Sequence, residues 1–504
     1  MMQKYKMYID GKWAASESGK TFDVINPATE KVIAKVPLGD ARDAKKAIAA
    51  ARKTFDRGEW SRMTVGERAS YIWKLADLLE KNSARIAKIE SMNVGKTIKY
   101  SLQSDMPFIV DNLRFFAGAC RTLEGKAAAE YVDFSAHGHH VGLGTSIIRR
   151  EPIGVVGCIV PWNYPLYVAI WQIAPALAAG NCVVVKPASY TPLTLLEFAK
   201  LVEEVGIAKG VFNVVTGPGE IIGKEFATNP QVDMISLTGD TSTGREIMKQ
   251  ASSTVKRLHL ELGGKAPLII LEDADLDAAT KGAVVATVWN SGQDCTAATR
   301  VYVPEKLHDR FVKLLVAEMR KVRIGDPMKK HVDLGPMISE RQRGRVEAYI
   351  KSGIQQGAKL VYGGKRIGNK GFFMQPAIFT NVKQNMRICQ EEIFGPVLSV
   401  IKYKTLDEAI QKANDVVYGL ASSVWGKDIA KLMKVANSLK FGTVWINEHG
   451  VLASEMPHGG YKQSGFGKDM SLYSFEEYTN VKHIYIDISG MARKPWHCVV
   501  YGEP

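Results

Sequence analysis

From residue 154 onward the chain alternates unbroken apolar runs with longer segments of helical spacing. Strand-like runs at 155–160, 182–185, 211–215 and 234–237 are separated by helical stretches at 166–179, 194–205 and 219–227. Apolar runs of that length fit parallel strands buried on both faces, and their alternation with helices marks a doubly wound sheet. A second series follows Glu261, with strands over 268–271 and 301–303, helices over 276–289 and 311–322, and further elements to a strand over 444–447. The pattern predicts two α/β units joined near 258–264. Upstream, Asp40 precedes a helix carrying Ala44, Ile48, Ala51 and Phe55 on one face. Thr64 with Glu67 forms a capping-box signature ahead of Ile72, Leu75 and Leu79. This opening stretch reads as helix-rich. Residues 135–145 read as a loop or exposed arm, and 483–488 as a strand before a tail with Pro495 and Pro504.

Composition narrows the class without altering that picture. The 504 residues carry 66 Lys plus Arg against 52 Asp plus Glu, a net charge of +14, with 46% hydrophobic residues. Such a chain buries a large core unaided, which excludes disordered, collagen-like, coiled-coil and small disulfide-stapled classes. Its length agrees with about two to four domains. The basic residues are scattered. The densest clusters, Arg320-Lys321-Val322-Arg323 and Arg341-Gln342-Arg343-Gly344-Arg345, are flanked by Glu318, Asp326, Glu340 and Glu347. No nucleic acid or membrane surface is therefore expected as a partner. Residues 154–185 lack any charged side chain or histidine, but Pro161, Asn163, Pro165, Gln172 and Pro175 divide them into strand, loop, helix and strand. The 6 cysteines (Cys120, Cys158, Cys182, Cys295, Cys389, Cys498) show no C-x-x-C pair and no metal-ligand spacing. With no signal-peptide core in the first 13 residues, a reducing, cytoplasmic compartment is expected.

Candidate chemistry sits at strand ends and turns. Cys295 lies in the polar turn Asn290-Ser291-Gly292-Gln293-Asp294-Cys295-Thr296, where local N–H groups can activate a thiol as a nucleophile; taken alone, an inert structural thiol is the better fit. Glu261 closes an apolar run and precedes Leu262-Gly263-Gly264, a place for a general base or a solvent-facing strand end. Asn163, in Pro161-Trp162-Asn163-Tyr164-Pro165, follows the first strand of the series, where open α/β sheets bind ligands and an amide can meet a developing oxyanion; a plain turn residue is the alternative. The run Gly239-Asp240-Thr241-Ser242-Thr243-Gly244 follows a strand and opens a helix. Its amides can face a phosphate, although it is not the G-x-G-x-x-G pattern. Lys186 ends another strand and can meet a ribose or phosphate.

Together these motifs, with Lys186-Pro187, Glu261–Lys265 and Gln390-Glu391-Glu392-Ile393-Phe394-Gly395-Pro396, resemble the aldehyde dehydrogenase superfamily in order and spacing from about Tyr8 to Tyr485. A narrower similarity, to aminobutyraldehyde and betaine-aldehyde dehydrogenases, rests on Gln293–Thr296, Ser454–Gly460 and Gly467–Tyr473. The resemblance implies an α/β fold: a Rossmann-like cofactor domain (1–127 and 149–260), a second α/β catalytic domain (261–470), a small β oligomerisation arm (128–148 and 476–490) and a C-terminal tail (491–504). It implies Cys295 as nucleophile, Glu261 as base, Asn163 in the oxyanion site and Asp469, shorter than the usual Glu, as a fourth catalytic residue. Val160, Pro161, Trp162, Lys186, Ser189, Gly219, Gly239, Asp240, Leu262, Glu392 and Phe394 would bind the dinucleotide. Phe108, Tyr164, Trp171, Asp294 and Trp445 would line the substrate tunnel. No metal is needed.

Departures from the family pattern carry information. Ser189 stands where many NAD-preferring members have a Glu that repels a 2′-phosphate, so either NAD or NADP is expected as cofactor, with NADP accepted. Asp240 replaces a Ser beside the pyrophosphate, and Asn480 replaces a Glu that in relatives pairs with residues matching Arg257 and Lys468. The expected substrate is an ω-aminoaldehyde such as 4-aminobutanal, because aromatic faces attract ammonium groups and Asp294 adjoins the nucleophile; aromatic packing of a narrow tunnel accounts for the same rings. Betaine aldehyde, a neutral aldehyde such as glyceraldehyde, CoA-acylating chemistry and a non-catalytic binding protein are the alternatives. His137-Gly138-His139-His140 reads as solvated loop rather than a metal site. By the resemblance that arm assembles subunits, and a homotetramer of paired dimers is expected.

Overall fold

In the computed structural model, which describes residues 3–129, 131–132, 143–494 and 497–502, two large sheets organise the chain. The first has eight strands in the order Gly465–Phe466, Arg257–Glu261, Met234–Thr238, Val155–Ile159, Cys182–Lys186, Phe212–Val214, Met7–Ile9 and Lys12–Ala14. The five central strands are parallel, and each is buried along most or all of its length. The helices Pro165–Ala179 and Leu193–Val205 carry the chain outward from Val155–Ile159 to Phe212–Val214, and after the helix Gly219–Thr228 the strand Met234–Thr238 returns to the other side of Val155–Ile159. That reversal places a crevice at the carboxyl ends of Val155–Ile159 and Met234–Thr238, the ligand position in open α/β sheets.

The second sheet has seven strands, Lys359–Gly363, Ala377–Thr380, Val397–Tyr403, Ala298–Pro304, Ala266–Ile270, Ala421–Trp425 and Thr443–Ile446, all parallel except the first. Its two faces are covered by separate apolar clusters, one around Phe379, Ile388 and Val424, the other around Leu268, Phe311 and Leu315. The chain re-enters the first sheet late, where Gly465–Phe466 pairs antiparallel with Arg257–Glu261. A mixed α/β fold with parallel sheets is what the apolar runs predict.

The caps match the sequence. Asp40 caps Ala41–Arg57, and Thr64 with Glu67 closes a capping box on Val65–Val94. The opening stretch is less purely helical than expected. Five short strands precede Ala41, and Gln3–Lys4, Thr21–Ile25 and Val32–Pro37 form a sheet of their own. At two to six residues, with exposed positions in four of the five, they leave a weak apolar signature. Thr479–Asp487 runs antiparallel to Leu143–Pro152, which also pairs with Lys126–Ala127 and Tyr131–Val132. Arg257 donates to the carbonyls of Glu477 (2.7 Å) and Thr479 (2.8 Å) and to Asn480 Oδ1 (3.3 Å). The 137–140 histidine stretch lies outside the described residues. Among the described residues, no helix is long and apolar enough to cross a membrane.

Candidate active site

A cavity of about 580 Å³ opens where the two sheets face each other, and Cys295, Glu261 and Asn163 all line it. Cys295 is delivered by a turn with unusual backbone. Asn290 (φ 47°), Ser291 (φ 60°) and Gly292 (φ 68°) are successively left-handed, a conformation that costs energy in non-glycine residues and persists only when surroundings impose it. Those surroundings are present. Ser291 Oγ donates to the Gly335 carbonyl (3.0 Å), Gln293 Oε1 accepts from Ile338 N (2.8 Å), and Asn290 Nδ2 donates to the Asn163 carbonyl (3.0 Å). Gly292 must be glycine for a second reason, since a Cβ there would lie 2.4 Å from the Gly395 carbonyl carbon. The thiol opens onto the cavity, yet burial raises its pKa well above the ordinary thiol range, and Glu261 and Asp294 raise it further.

Asn163 is buried and donates one amide hydrogen to the Gln293 carbonyl (3.0 Å); an amide has two, so one remains for a ligand. Glu261 ends its strand 2% exposed, and its Oε1 has no hydrogen-bond partner in the protein. Burial drives its pKa well above the usual carboxylate range, and repulsion from Asp469 adds to this. Gly264 allows the next strand to pass Cys295, because a Cβ there would sit 2.0 Å from the Cys295 carbonyl oxygen.

The dinucleotide candidates occupy the other end of the cavity. Val160, Pro161, Trp162, Lys186, Gly219, Gly239, Asp240, Glu392 and Phe394 all line it. Lys186 is 6% exposed, and burial lowers its pKa to about 8, opposed weakly by Glu220. Among the described residues its ammonium has no ion-pair partner, a state that suits a cation waiting for oxygen ligands. Glu392 accepts from the Gly264 amide (2.8 Å), and burial lifts its pKa to about 7. Trp162 packs edge-on against Phe394, 5.1 Å between ring centres. Asp240 caps the helix Thr241–Ala251 through Ser242 N (2.7 Å). These groups fit a dinucleotide: a partly desolvated cation, a carboxyl and a crevice at the sheet's reversal.

Of the tunnel candidates, Tyr164, Trp171 and Asp294 line the cavity. Asp294 Oδ1 accepts from Thr296 N and Oγ1 (both 2.7 Å), and Oδ2 accepts from the Tyr164 hydroxyl. Five expected site residues stand back from the wall. Phe108 stacks behind Tyr167 at 4.9 Å. Trp445 donates to the Val451 carbonyl (2.7 Å) and packs on His449. Leu262 supports Gly244 from below. Ser189 is exposed and donates to the Gly217 carbonyl (3.1 Å). Asp469 is fully buried beside His259, N to O 3.1 Å, and the second ring nitrogen of His259 meets Glu477 at 2.8 Å. Burial would lower the His259 pKa, but Asp469 and Glu477 prevail and lift it to about 10. Asp469 therefore acts on the cavity only through its charge.

The sequence did not single out Tyr100, Tyr167, Trp289, His449 or His458, which complete the wall. His449 is satisfied at both nitrogens, by Ser423 Oγ and the Thr296 carbonyl, each 2.8 Å. His458 is satisfied at neither. A lone histidine after proline, in Pro457-His458-Gly459-Gly460, carries no local signal for either state.

Comparison with known proteins agrees with this geometry. Residues 13–484 match the Aldehyde dehydrogenase family. The chain is 45% identical over 483 residues to a betaine aldehyde dehydrogenase of Bacillus subtilis, covering 95% of this chain and 96% of the relative. It is 42% identical over 490 residues to human aldehyde dehydrogenase 1A1, covering 97% and 96%. Among solved structures, an NAD+ complex of aldehyde dehydrogenase from Bacillus cereus superposes with a TM-score of 0.92 at 41% identity, covering 96% and 97%. A betaine aldehyde dehydrogenase from Staphylococcus aureus with NAD+ gives 0.93 at 40%, covering 97% and 96%.

Proposed function

The chain belongs to the aldehyde dehydrogenase family, and on that premise we propose that it oxidises an ω-aminoaldehyde such as 4-aminobutanal to its carboxylic acid, using NAD or NADP. The observation that carries this reading is the meeting of Cys295, Glu261 and Asn163 around one cavity that also holds an aromatic, acid-lined end. Cys295 Sγ attacks the aldehyde carbon and the carbonyl oxygen takes up the electron pair. The free amide hydrogen of Asn163, with the Cys295 backbone N–H, donates to that oxygen as charge develops. The nicotinamide, when bound, supplies the hydride acceptor that turns the thiohemiacetal into a thioester. Lys186 and Glu392 would hold the two riboses, and Trp162 with Phe394 would bound the crevice between them. Glu261 then takes a proton from water as the water oxygen attacks the thioester, the C–S bond breaks and the acid leaves. Its high proton affinity suits this step, since a base matched to neutral pH gains from a raised carboxyl pKa.

The cationic substrate is supported by the rings of Tyr164, Tyr167 and Trp171 together with the acids Asp294 and Glu261 on one wall, a surface that stabilises an ammonium group and not a neutral chain end. Betaine aldehyde is the second reading, favoured by the Bacillus subtilis and Staphylococcus aureus relatives of that name; its trimethylammonium needs ring faces but no hydrogen-bond acceptor. Acceptance of NADP is supported by Ser189, which puts a small hydroxyl residue three positions after Lys186. The same reading makes the protein a cytoplasmic homotetramer of paired dimers. The free thiols of Cys120, Cys158, Cys182, Cys295 and Cys389 suit a reducing compartment. The edge strand Thr479–Asp487, with Val481 and Ile486 exposed, suits assembly.

The test is reduced-cofactor absorbance with 4-aminobutanal, betaine aldehyde and a neutral aldehyde of equal length, each with NAD and with NADP. The expected result is a kcat/KM for 4-aminobutanal about tenfold above the neutral aldehyde, turnover with both cofactors, and none in Cys295→Ala. Equal or better use of the neutral aldehyde would overturn the substrate assignment. Turnover with NAD alone would overturn the NADP assignment.

A further inference from the structure

The catalytic cavity contains a polar group that the mechanism above leaves idle. His458 is 1% exposed, lines the cavity, and neither ring nitrogen has a hydrogen-bond partner in the protein. A buried imidazole without partners is costly, and native structures retain one where something else is to meet it. His449, on the same wall, shows the ordinary solution, with both nitrogens bonded. The ring of His458 is held in place by Trp171, 5.3 Å between centres. Its Nε2 lies 3.9 Å from Glu261 Oε1, beyond direct hydrogen bonding. One ring nitrogen of His458, one Glu261 oxygen and Cys295 Sγ all lie within 4.8 Å of one another. A single water can bridge groups at that separation.

We propose that His458 is the proton acceptor for Cys295: as Sγ bonds to the aldehyde carbon, the Sγ–H bond breaks, its proton passes through one bridging water, and a ring nitrogen gains an N–H. This rests on the reading of Cys295 as nucleophile and adds the group that makes its thiol competent. The charges around the site favour this choice of acceptor. Cys295 meets the Glu261 carboxyl directly and faces Asp294 and Glu392, so an isolated thiolate is opposed by all three. Glu261 is itself pressed toward its protonated form by burial and Asp469. The groups acting on His458 are Asp469 and Asp294, which favour its cation, and Lys468, which disfavours it; burial keeps the resting ring neutral. A neutral ring receiving a proton as the thiol loses one creates no new net charge. The imidazolium it becomes is stabilised by Asp469 and Asp294.

Alkylation of Cys295 by iodoacetamide, followed by mass spectrometry of its peptide across pH, tests this without aldehyde or dinucleotide. The wild-type rate is expected to be nearly flat through the neutral range, because the proton is taken by a base within the site. In His458→Phe and in His458→Gln, reaction must await free thiolate. The rate should then climb about tenfold per pH unit and fall about 100-fold below wild type near neutrality. A flat profile retained in His458→Phe would assign the proton to Glu261 and overturn the proposal. Recovery of the flat profile in His458→Gln, which can hold a water but cannot take its proton, would reduce the ring to a water anchor and also overturn it. Failure of the reading of Cys295 as nucleophile is a separate result: it would appear as reduced-cofactor formation that survives Cys295→Ala.

Discussion

Two polar clusters share the Tyr164 ring and differ in how fully their buried polar atoms are partnered. Behind the ring, Lys96 is enclosed with Glu90 (2.9 Å) and Asp105, and its ammonium lies 4.6 Å from the Tyr164 centroid and 5.7 Å from that of Tyr100. Glu90 also accepts from Thr194 Oγ1 (2.7 Å), and of these groups only Asp105 Oδ1 lacks a partner. In front of the ring, the Tyr164 hydroxyl leads through Asp294 to Cys295, Glu261 and His458, where Glu261 Oε1 and both His458 nitrogens are left unpartnered. Glu261 and His458 are as deeply buried as Lys96, Glu90 and Asp105, while Asp294 and Cys295 are half-buried at the cavity. Where nearly all partners are present, burial fixes a shape, and where they are withheld it stores proton affinity. The front cluster is the strained one as well, set on the left-handed turn Asn290–Gly292.

The largest effect that can break this contrast lies behind the ring. Lys96→Met leaves Glu90 and Asp105 buried without their cation, and removing one partner of a buried ion pair costs about 3–5 kcal/mol. Thermal unfolding of the variant should fall well below wild type, with turnover at permissive temperature reduced only through displacement of Tyr100 and Tyr164. A variant as stable as wild type would show that the rear cluster is not the structural one.

Legibility in the sequence divides along a similar line. The central strands were readable because parallel strands buried on both faces must be apolar throughout, as in Cys182–Lys186. Cys295, Glu261 and Asn163 were readable because each lies in a short motif at a strand end or turn, and the structure brings all three to one cavity. The short strands before Ala41 were not, since two to six residues with exposed positions give no periodicity. His458 and His449 were also invisible: their states depend in part on groups more than 150 residues away, Glu261 for the first and Thr296 for the second. Phe108 and Trp445 were expected on the wall and stand one layer behind it, because Tyr167 and His449 take the inner positions.

A smaller, pH-dependent effect sharpens the comparison at its boundary. His259 and Glu261 alternate on one strand and so point to the same face, and His259 carries its charge against Asp469 and Glu477. Its folded pKa of about 10 exceeds the ordinary 6.5, so the folded state binds the proton more tightly. The stability this contributes is complete below about pH 6.5 and is lost as pH rises toward 10. Unfolding of wild type and His259→Asn, followed across that window, should show a gap that closes with rising pH. A gap independent of pH would mean that shape, not charge, is what His259 supplies.

The smallest stability effect is expected at the residue with the largest chemical one. Glu261→Gln keeps the side chain's size and removes only its capacity to ionise. Because burial and Asp469 raise the folded pKa of Glu261 above the ordinary 4.5, the folded protein holds a proton that the unfolded chain releases. Wild-type stability therefore falls, relative to a neutral side chain, as pH climbs from about 4.5 toward that raised value. The glutamine variant should match wild type in melting temperature near pH 4.5 and exceed it by an amount that grows through neutrality. Its turnover should meanwhile drop about 10²- to 10⁴-fold for want of the base that activates water. A burst of reduced cofactor equal to the enzyme concentration, followed by near-arrest, would place the loss at thioester hydrolysis. If Glu261→Gln instead melts below wild type throughout, the carboxylate is a structural partner, and withheld hydrogen bonds no longer separate the reacting cluster from the one behind it.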